Sequence, residues 1–238
     1  MHKARSDREW HITWEILAPT LEPYLQAVPR LGCAAGASID CVDVGCGVSD
    51  LGLELCRAHR LRTLWLLDAS PVCISHLQTR HAAVKSPSIV AQVADCRSLP
   101  CQEHSVRILL DKGTLDAMES DADARAMLVD MARVLDPDGI MVSVSFPAVK
   151  RLAFLDATLP ALGLMHHTFI CPSRDMPAAV VFLSIIFRMP AASNSAGSMP
   201  AYSPDDRTQR MLRRASRGGS LYEDDDDFLP PDAWLAPS

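Results

Sequence analysis

Short apolar runs alternate with amphipathic segments from Asp40 to about Met189. Five of the runs are typical of buried strands: IDCVDVG, LWLLD, SIVAQVAD, VRILLD and GIMVSVSF. Between the last two, ARAMLVDMARVL places Met127, Met131 and Val134 on one helical face, and the DPDG that follows is a helix stop signal. Strands that alternate with helices in this way indicate a parallel sheet with crossover helices.

Two further apolar runs, LMHHTFIC and AAVVFLSIIF, follow the fifth predicted strand and are separated by the proline-containing PSRDMP. We predict that they are a closing pair of strands. The second run is too short to cross a bilayer and is more typical of a buried strand. The pattern therefore predicts an α/β fold, a Rossmann-like seven-stranded sheet with helices on both faces.

The composition changes at about Pro190, where Ser, Pro, Gly and charged residues replace the periodic pattern. We predict a folded domain over residues 1–189 and a disordered charged tail over residues 190–238. The tail carries a basic stretch, RTQRMLRRASRGG, and an acidic one, EDDDDFLPPDAW, which could attract each other or bind different partners. Within the basic stretch, RRAS would present Ser216 to a basophilic kinase.

Charge and cysteine content narrow the class of partner and the compartment. A net charge of −6 over 238 residues argues against a nucleic-acid partner, because phosphate binding needs a concentrated basic surface. The eight cysteines contain no CxxC pair, so we interpret most of them as small buried hydrophobes rather than metal ligands or disulfides. The start, MHKARSDREW, has no apolar signal segment, and we expect no membrane partner and a cytoplasmic location.

A glycine loop, VDVGCGVSDLGLEL, follows the first predicted strand and opens a helix. Gly45 and Gly47 would let the backbone approach a ligand closely. A dinucleotide fingerprint would need a third glycine where this chain has Asp50, and Asp43 adds another acid close by. These acids would repel a pyrophosphate and favour a cationic ligand. S-adenosylmethionine fits, because it carries a sulfonium and an ammonium group and no phosphate.

Acids also stand at the ends of the next three predicted strands. Asp68, followed by Ala69, lies about 20 residues beyond the glycine loop, where an acid accepts hydrogen bonds from ribose hydroxyls. Asp95 is suited to an adenine amino group, with Cys96 adding an N–H and an apolar contact. Asp111 ends the fourth strand. Each acid alone could be a helix cap or turn residue, but the ordered set predicts a ligand site at the carboxyl edge of the sheet.

Four motifs together resemble a known family. DVGCGVSDL, LLDASPV, VADCRSLP and LLDKGTLDAM are similar to class I methyltransferases related to the elongation factor 1-alpha lysine and N-terminal methyltransferases, a group that includes the mitochondrial citrate synthase lysine methyltransferase. The resemblance runs from about Glu9 to Met189, and DKGTLDA is its most specific part. It implies the class I methyltransferase fold and S-adenosylmethionine as the cofactor.

The resemblance also implies roles for individual residues around that cofactor. An aromatic residue matching Trp10 lies near the cofactor in this group, although packing of a helix onto the sheet is an alternative for Trp10. The remaining implied contacts are Asp43, Gly45, Gly47 and Ser49 at the methionine part, Asp68 and Ala69 at the ribose, Asp95 and Cys96 at the adenine, and Asp111, Lys112 and Gly113 on the floor facing the substrate.

Asp111 and Lys112 are the candidate catalytic residues. Asp111 could form a hydrogen bond with the substrate amine or the cofactor's ammonium group, and Lys112 could instead form a structural ion pair with Asp116 or another neighbour. His166 and His167 could serve a substrate or be ordinary surface histidines. The fourth strand lacks the [DN]PP[YFW] motif that braces a flipped base, which argues against methylation of nucleobase amines.

The resemblance favours a protein substrate, methylated on a lysine or an N-terminal amine, with a translation elongation factor as the favoured partner. Two alternatives stay open: a small-molecule methyltransferase, and a catalytically weak binding protein that acts through its tail. The second is motivated by Val48, which replaces a usual polar residue, and by the eight residues that precede Glu9, fewer than the family usually has.

Overall fold

The computed structural model describes residues 12–29, 39–172, 180–189, 199–200, 209 and 213. Trp10, Ser216 and most of the predicted tail lie outside the described residues. The predicted domain boundary at 189/190 falls where one described range ends, so it stays a prediction.

The elements follow the predicted alternation. The strands are β1 (Ile39–Val44), β2 (Thr63–Asp68), β3 (Ser88–Val93), β4 (Val106–Lys112), β5 (Leu135–Ser145), β6 (Leu164–Pro172) and β7 (Val180–Arg188). The α-helices are α1 (Trp14–Ala27), α2 (Leu51–Ala58), α3 (Pro71–His81), α4 (Asp121–Val134) and α5 (Val149–Thr158), and two short 3₁₀ turns occupy Leu115–Ala117 and Leu159–Leu162.

The strands form one seven-stranded sheet in the order β3-β2-β1-β4-β5-β7-β6. The first five strands are parallel, and β7 is inserted antiparallel between β5 and β6. The predicted closing pair of strands is thereby confirmed, as is the α/β fold class. Because β1 lies at the centre of the parallel part, its carboxyl end is flanked by those of β2 and β4.

Helices cover both faces of this sheet, as the sequence predicted. Ile108 and Leu110 of β4 point to the core shared with α1, α2 and α3, while Leu109 points to the core shared with α4 and α5. The alternation follows from the two-residue period of a strand, and both faces are apolar because both are buried. None of the helices within the described ranges is long and apolar enough to span a membrane.

The DPDG segment differs from its prediction in one respect. Helix α4 does end at Val134, but β5 begins at the next residue and contains the DPDG as a bulge. Val106 pairs with Leu135 whereas Ile108 pairs with Ile140, so the additional residues project from the ladder. A Cβ on Gly139 would lie 2.7 Å from the carbonyl oxygen of Arg107, which explains the glycine in this bulge.

Candidate active site

A cleft of about 290 Å³ opens at the carboxyl ends of the first four parallel strands. This is the edge at which open α/β sheets bind ligands. Six of the sequence-predicted site residues line it: Gly45, Asp68, Ala69, Cys96, Lys112 and Gly113. The other lining residues are Val44, Leu67, Ala94, Thr114, Ala117 and Met118.

The glycine loop turns at two positions of positive φ, +63° at Gly45 and +52° at Gly47. A Cβ on Gly45 would lie 2.0 Å from Oγ1 of Thr114, so this position excludes every side chain on steric grounds. A Cβ on Gly47 would meet no protein atom within 4 Å. The absence of a side chain at Gly47 therefore leaves open space. The absence of one at Gly45 lets the loop after β1 pack against Thr114, which follows β4.

Arg80 of α3 holds the rest of the loop from outside the cleft. Its guanidinium donates to the carbonyl oxygens of Val48 (2.8 Å) and Ser49 (3.3 Å) and to Oδ1 of Asp50 (2.8 Å). The negative charge of Asp50 is thus paired with an arginine. Sequence reasoning missed Arg80, because nothing in its local pattern distinguishes it from an ordinary basic residue in the last turn of a helix.

Asp68 links the glycine loop to the cleft. Its Oδ2 accepts a hydrogen bond from the N–H of Gly47 and its Oδ1 accepts one from the N–H of Ser70, both at 2.8 Å. A carboxylate has about four acceptor positions, so Asp68 can accept further bonds from a ligand. Because Asp68 is only partly buried and lines the cleft, its remaining acceptor positions are accessible from the cleft.

The end of β3 contributes Ala94 and Cys96 to the cleft, but not the Asp95 side chain. Cys96 Sγ lies 3.9 Å from Sδ of Met118, and the two sulfur atoms form part of an apolar wall. Asp95 is 48% exposed, and the guanidinium of Arg97 donates to both its carboxylate oxygens, with the shortest contact at 2.7 Å. The hydrogen bonds from Arg97 lower the pKa of Asp95 to about 2. The expected hydrogen bond from adenine to Asp95 would therefore compete with the hydrogen bonds from Arg97. The pattern of acids at strand ends did not predict this arginine.

Asp111 is placed differently from the expectation that it faces the substrate. Its side chain is 2% exposed and is not part of the cleft lining. Oδ1 accepts from the N–H groups of Thr114 (3.0 Å) and Leu115 (3.1 Å), and Oδ2 accepts from the Ser143 hydroxyl (2.6 Å). Burial raises the pKa of Asp111 to about 6, against the opposing effect of these hydrogen bonds. The carboxylate shapes the turn after β4 from inside the protein.

The residues after Asp111 do reach the cleft. Gly113 has φ +80° and donates its N–H to the carbonyl oxygen of Val144 (2.9 Å). Thr114 donates its hydroxyl to the carbonyl oxygen of Val44 (2.9 Å), beside the glycine loop. Among the described residues that line the cleft, Lys112 carries the only positive charge and Asp68 the only negative charge. Asp116, the suggested partner of Lys112, accepts a bond from Arg151 at 3.0 Å.

Asp43, Ser49 and the two histidines lie outside the cleft lining. Asp43 is buried under the loop, where a Cβ on Gly52 would lie 2.9 Å from its Oδ2. Ser49 Oγ accepts from the N–H of Leu51 (3.1 Å) at the start of α2. His166 and His167 are on β6 at the far edge of the sheet, with contacts to Asp156 and Tyr24 respectively.

The sequence profile of a family described as a methyltransferase domain matches residues 41–139, from β1 to the bulge of β5. The chain is also 31% identical over 140 residues to the "eEF1A lysine and N-terminal methyltransferase" of Danio rerio, which covers 58% of this chain and 19% of the relative. It is 32% identical over 149 residues to the "EEF1A lysine methyltransferase 4" of Mus musculus, which covers 58% of this chain and 53% of the relative. The chain thus spans between a fifth and about half of the length of these relatives.

Solved structures support the same fold at lower identity. A putative sarcosine dimethylglycine methyltransferase from Galdieria sulphuraria superposes with a TM-score of 0.54 at 15% identity, covering 72% of this chain and 84% of that one. A SAM-dependent methyltransferase from Methanosarcina mazei gives 0.52 at 14% identity, covering 63% of this chain and 92% of that one. The motif resemblance therefore agrees with the methyltransferase-domain match over residues 41–139, and the structural similarity shows that the chain has the fold of SAM-dependent methyltransferases.

Proposed function

We propose that this protein is an S-adenosylmethionine-dependent methyltransferase that methylates a protein amine, either a lysine side chain or an N-terminal amine. The observation that carries the proposal is the order of chemical groups along the cleft, which matches the order of groups along the cofactor. The names of the curated relatives support an elongation factor as the protein substrate.

The fit runs across the strand ends from β3 to β4. Ala94 and Cys96, with Met118 opposite, offer an apolar slot for the adenine ring. Asp68 at the end of β2 offers carboxylate acceptors for the ribose hydroxyls, because charge-assisted bonds of this kind are the stronger ones. Gly45 and Gly113 line the cleft beyond Asp68, so the methionine chain would run past them. Asp43 and Ser49 would act by shaping the glycine loop rather than through contact.

When bound, S-adenosylmethionine would supply an electrophilic methyl group: the N–C bond to the substrate amine would form in line as the C–S bond breaks and S-adenosylhomocysteine leaves. The chain's own residues therefore have to align the two partners and exclude water. The apolar wall of Ala117 and Met118 disfavours an ammonium ion at the cleft, which favours the neutral, nucleophilic form of the amine. Asp111 would fix the turn that carries Lys112 and Gly113, so we propose it as a positioning residue.

The cytoplasmic location, the disordered tail and phosphorylation of Ser216 are proposals from the sequence alone. Ser216 in RRAS would be accessible to a kinase if residues 190–238 are a solvated tail, as their composition suggests. The acidic and basic halves of that tail would serve a partner rather than the methyl transfer.

The test is transfer of a labelled methyl group from S-adenosylmethionine to purified elongation factor 1A, with a cell metabolite fraction in parallel. We expect label in the protein, lost on arginine replacement of the modified lysine or on blocking of the N terminus. Asp68→Ala, which removes the proposed ribose contact, should reduce labelling. Label found only in metabolites would contradict the protein substrate. Cofactor binding with no transfer to either fraction would contradict the enzyme activity and favour the binding-protein alternative.

A further inference from the structure

The charges of the cleft are separated along its length. Asp68 lies at the end of β2 and Lys112 at the end of β4, with β1 between them in the sheet. Two strand spacings amount to about 10 Å, so the backbone positions that carry the negative and the positive group are well separated along the cleft. The remaining described lining residues are apolar, glycine or a threonine. A ligand with hydroxyl groups at one end and an anionic group at the other would match this distribution.

The position of Lys112 is fixed by its neighbours. Before it, Asp111 is held by three hydrogen bonds from Thr114, Leu115 and Ser143. In the sheet, Lys112 pairs with Val144 of β5, and the N–H of Gly113 donates to the same residue at 2.9 Å. The backbone at Lys112 is therefore held in place before a ligand binds. Such preorganisation reduces the cost of binding.

This inference rests on the proposed function, because it concerns the cofactor's own charges. S-adenosylmethionine has hydroxyl groups on its ribose and one anionic group, the α-carboxylate at the far end of the methionine chain. With the ribose at Asp68, the chain extends past Gly45 towards β4. The α-carboxylate then reaches the one positive charge among the described residues that line the cleft.

We infer that Lys112 binds the α-carboxylate of the cofactor's methionine part, and so is a specificity residue for ligands that carry an amino acid group. A proton-transfer role is not needed for Lys112, since displacement on a sulfonium requires little acid–base help.

The test compares two probes that differ only at this end. S-adenosylhomocysteine keeps the amino acid group, whereas 5′-methylthioadenosine has the same adenosine and sulfur and lacks it. Binding of each is measured by calorimetry to the full chain and to Lys112→Met, which keeps most of the side-chain length without the charge. Lys112→Arg tests whether charge alone suffices, and Lys150→Met, an exposed lysine on α5, is the matched control.

We expect Lys112→Met to weaken S-adenosylhomocysteine binding by about 10- to 100-fold, as loss of a charge-assisted bond would. Binding of 5′-methylthioadenosine should be unchanged, Lys112→Arg should stay within a few-fold of the wild type, and Lys150→Met should have no effect. An equal loss for both probes, or no loss for either, would overturn the inference. Failure of the wild type to bind either probe would instead overturn the proposed function.

Discussion

Strand β2 ends in Asp68 and strand β4 carries Asp111 one residue before its end, yet the two carboxylates are in opposite environments. Asp68 is partly exposed and lines the cleft, with one backbone N–H on each oxygen. Asp111 is 2% exposed and accepts three hydrogen bonds inside the protein, and burial raises its pKa to about 6. In the sheet register Asp111 is level with Leu67, so Asp68 lies one residue further towards the carboxyl edge. The same residue type near the end of two parallel strands is therefore available to a ligand in one case and shapes the site in the other.

The difference arises from the neighbouring strands. On β5, Ser143 stands beside Asp111 in the sheet register and donates its hydroxyl to the carboxylate. Beside Asp68, the register position on β3 is Val93, whose side chain has no hydrogen-bond donor to draw the carboxylate into the sheet. A strand-end acid is thus a ligand contact only where no neighbouring donor draws it into the sheet.

The largest effect is expected at Gly45, where the loop after β1 packs against Thr114 in the turn after β4. A methyl group in Gly45→Ala would collide with Thr114, and the positive φ adds strain, together about 3 kcal/mol of lost stability. Binding of S-adenosylhomocysteine should be lost as the strand ends separate. Denaturant unfolding and calorimetry measure the two effects.

Gly163→Ala is the matched control for this substitution, because Gly163 has a similar φ of +69° and a Cβ added there would meet no atom within 4 Å. It should cost only about 1 kcal/mol and leave binding intact. Thr114→Gly in the Gly45→Ala background should recover much of the stability. If the two alanine variants were equally destabilised, the contact with Thr114 would not be the cause.

Asp68→Ala is expected to have the next largest effect, on ligand affinity. Loss of charge-assisted bonds to the ribose should weaken S-adenosylhomocysteine binding by about 1–3 kcal/mol, measured by calorimetry. Asp68→Asn keeps one side-chain oxygen that can accept a hydrogen bond from the backbone, so it should weaken ligand binding less than Asp68→Ala does. Wild-type affinity in Asp68→Ala would show that Asp68 does not contact the ligand, and the contrast with Asp111 would disappear.

The smallest effect on binding is expected for Asp111→Asn, whose signature is a pH dependence of stability. Because the pKa is raised in the folded state, the folded protein holds this proton more tightly than the unfolded chain. The resulting stability is full below about pH 4 and is lost as the pH rises through about 6. The asparagine variant stays neutral, so it should gain stability relative to the wild type between pH 4 and 7, by about 3 kcal/mol at most. A stability difference independent of pH would contradict the assignment.

The sequence predicted the sheet well because its signals are local. Each strand is a contiguous apolar run, and the apolar face of α4, with Met127, Met131 and Val134, follows from the helical period. The glycine loop and Asp68 were also found from local spacing. The bulge of β5 was not, because a DPDG is equally compatible with a turn between a helix and a strand.

Side-chain partners were predicted less well, because they come from distant parts of the chain. Arg80 reaches back 32 residues to Val48, and Ser143 lies 32 residues beyond Asp111. Arg97 is only two residues from Asp95, but its bond is set by how the chain turns after β3. Spacing can place an acid at a strand end, whereas the fold decides which way its carboxylate points.

The cleft between Asp68 and Lys112 is proposed to bind the cofactor along the strand ends. A calorimetric titration of the full chain with S-adenosylmethionine, with NAD as the control ligand, tests this directly. We expect saturable binding of S-adenosylmethionine, weakened in Asp68→Ala, and no binding of NAD. Binding of NAD in preference to S-adenosylmethionine, or binding of neither, would contradict the proposal.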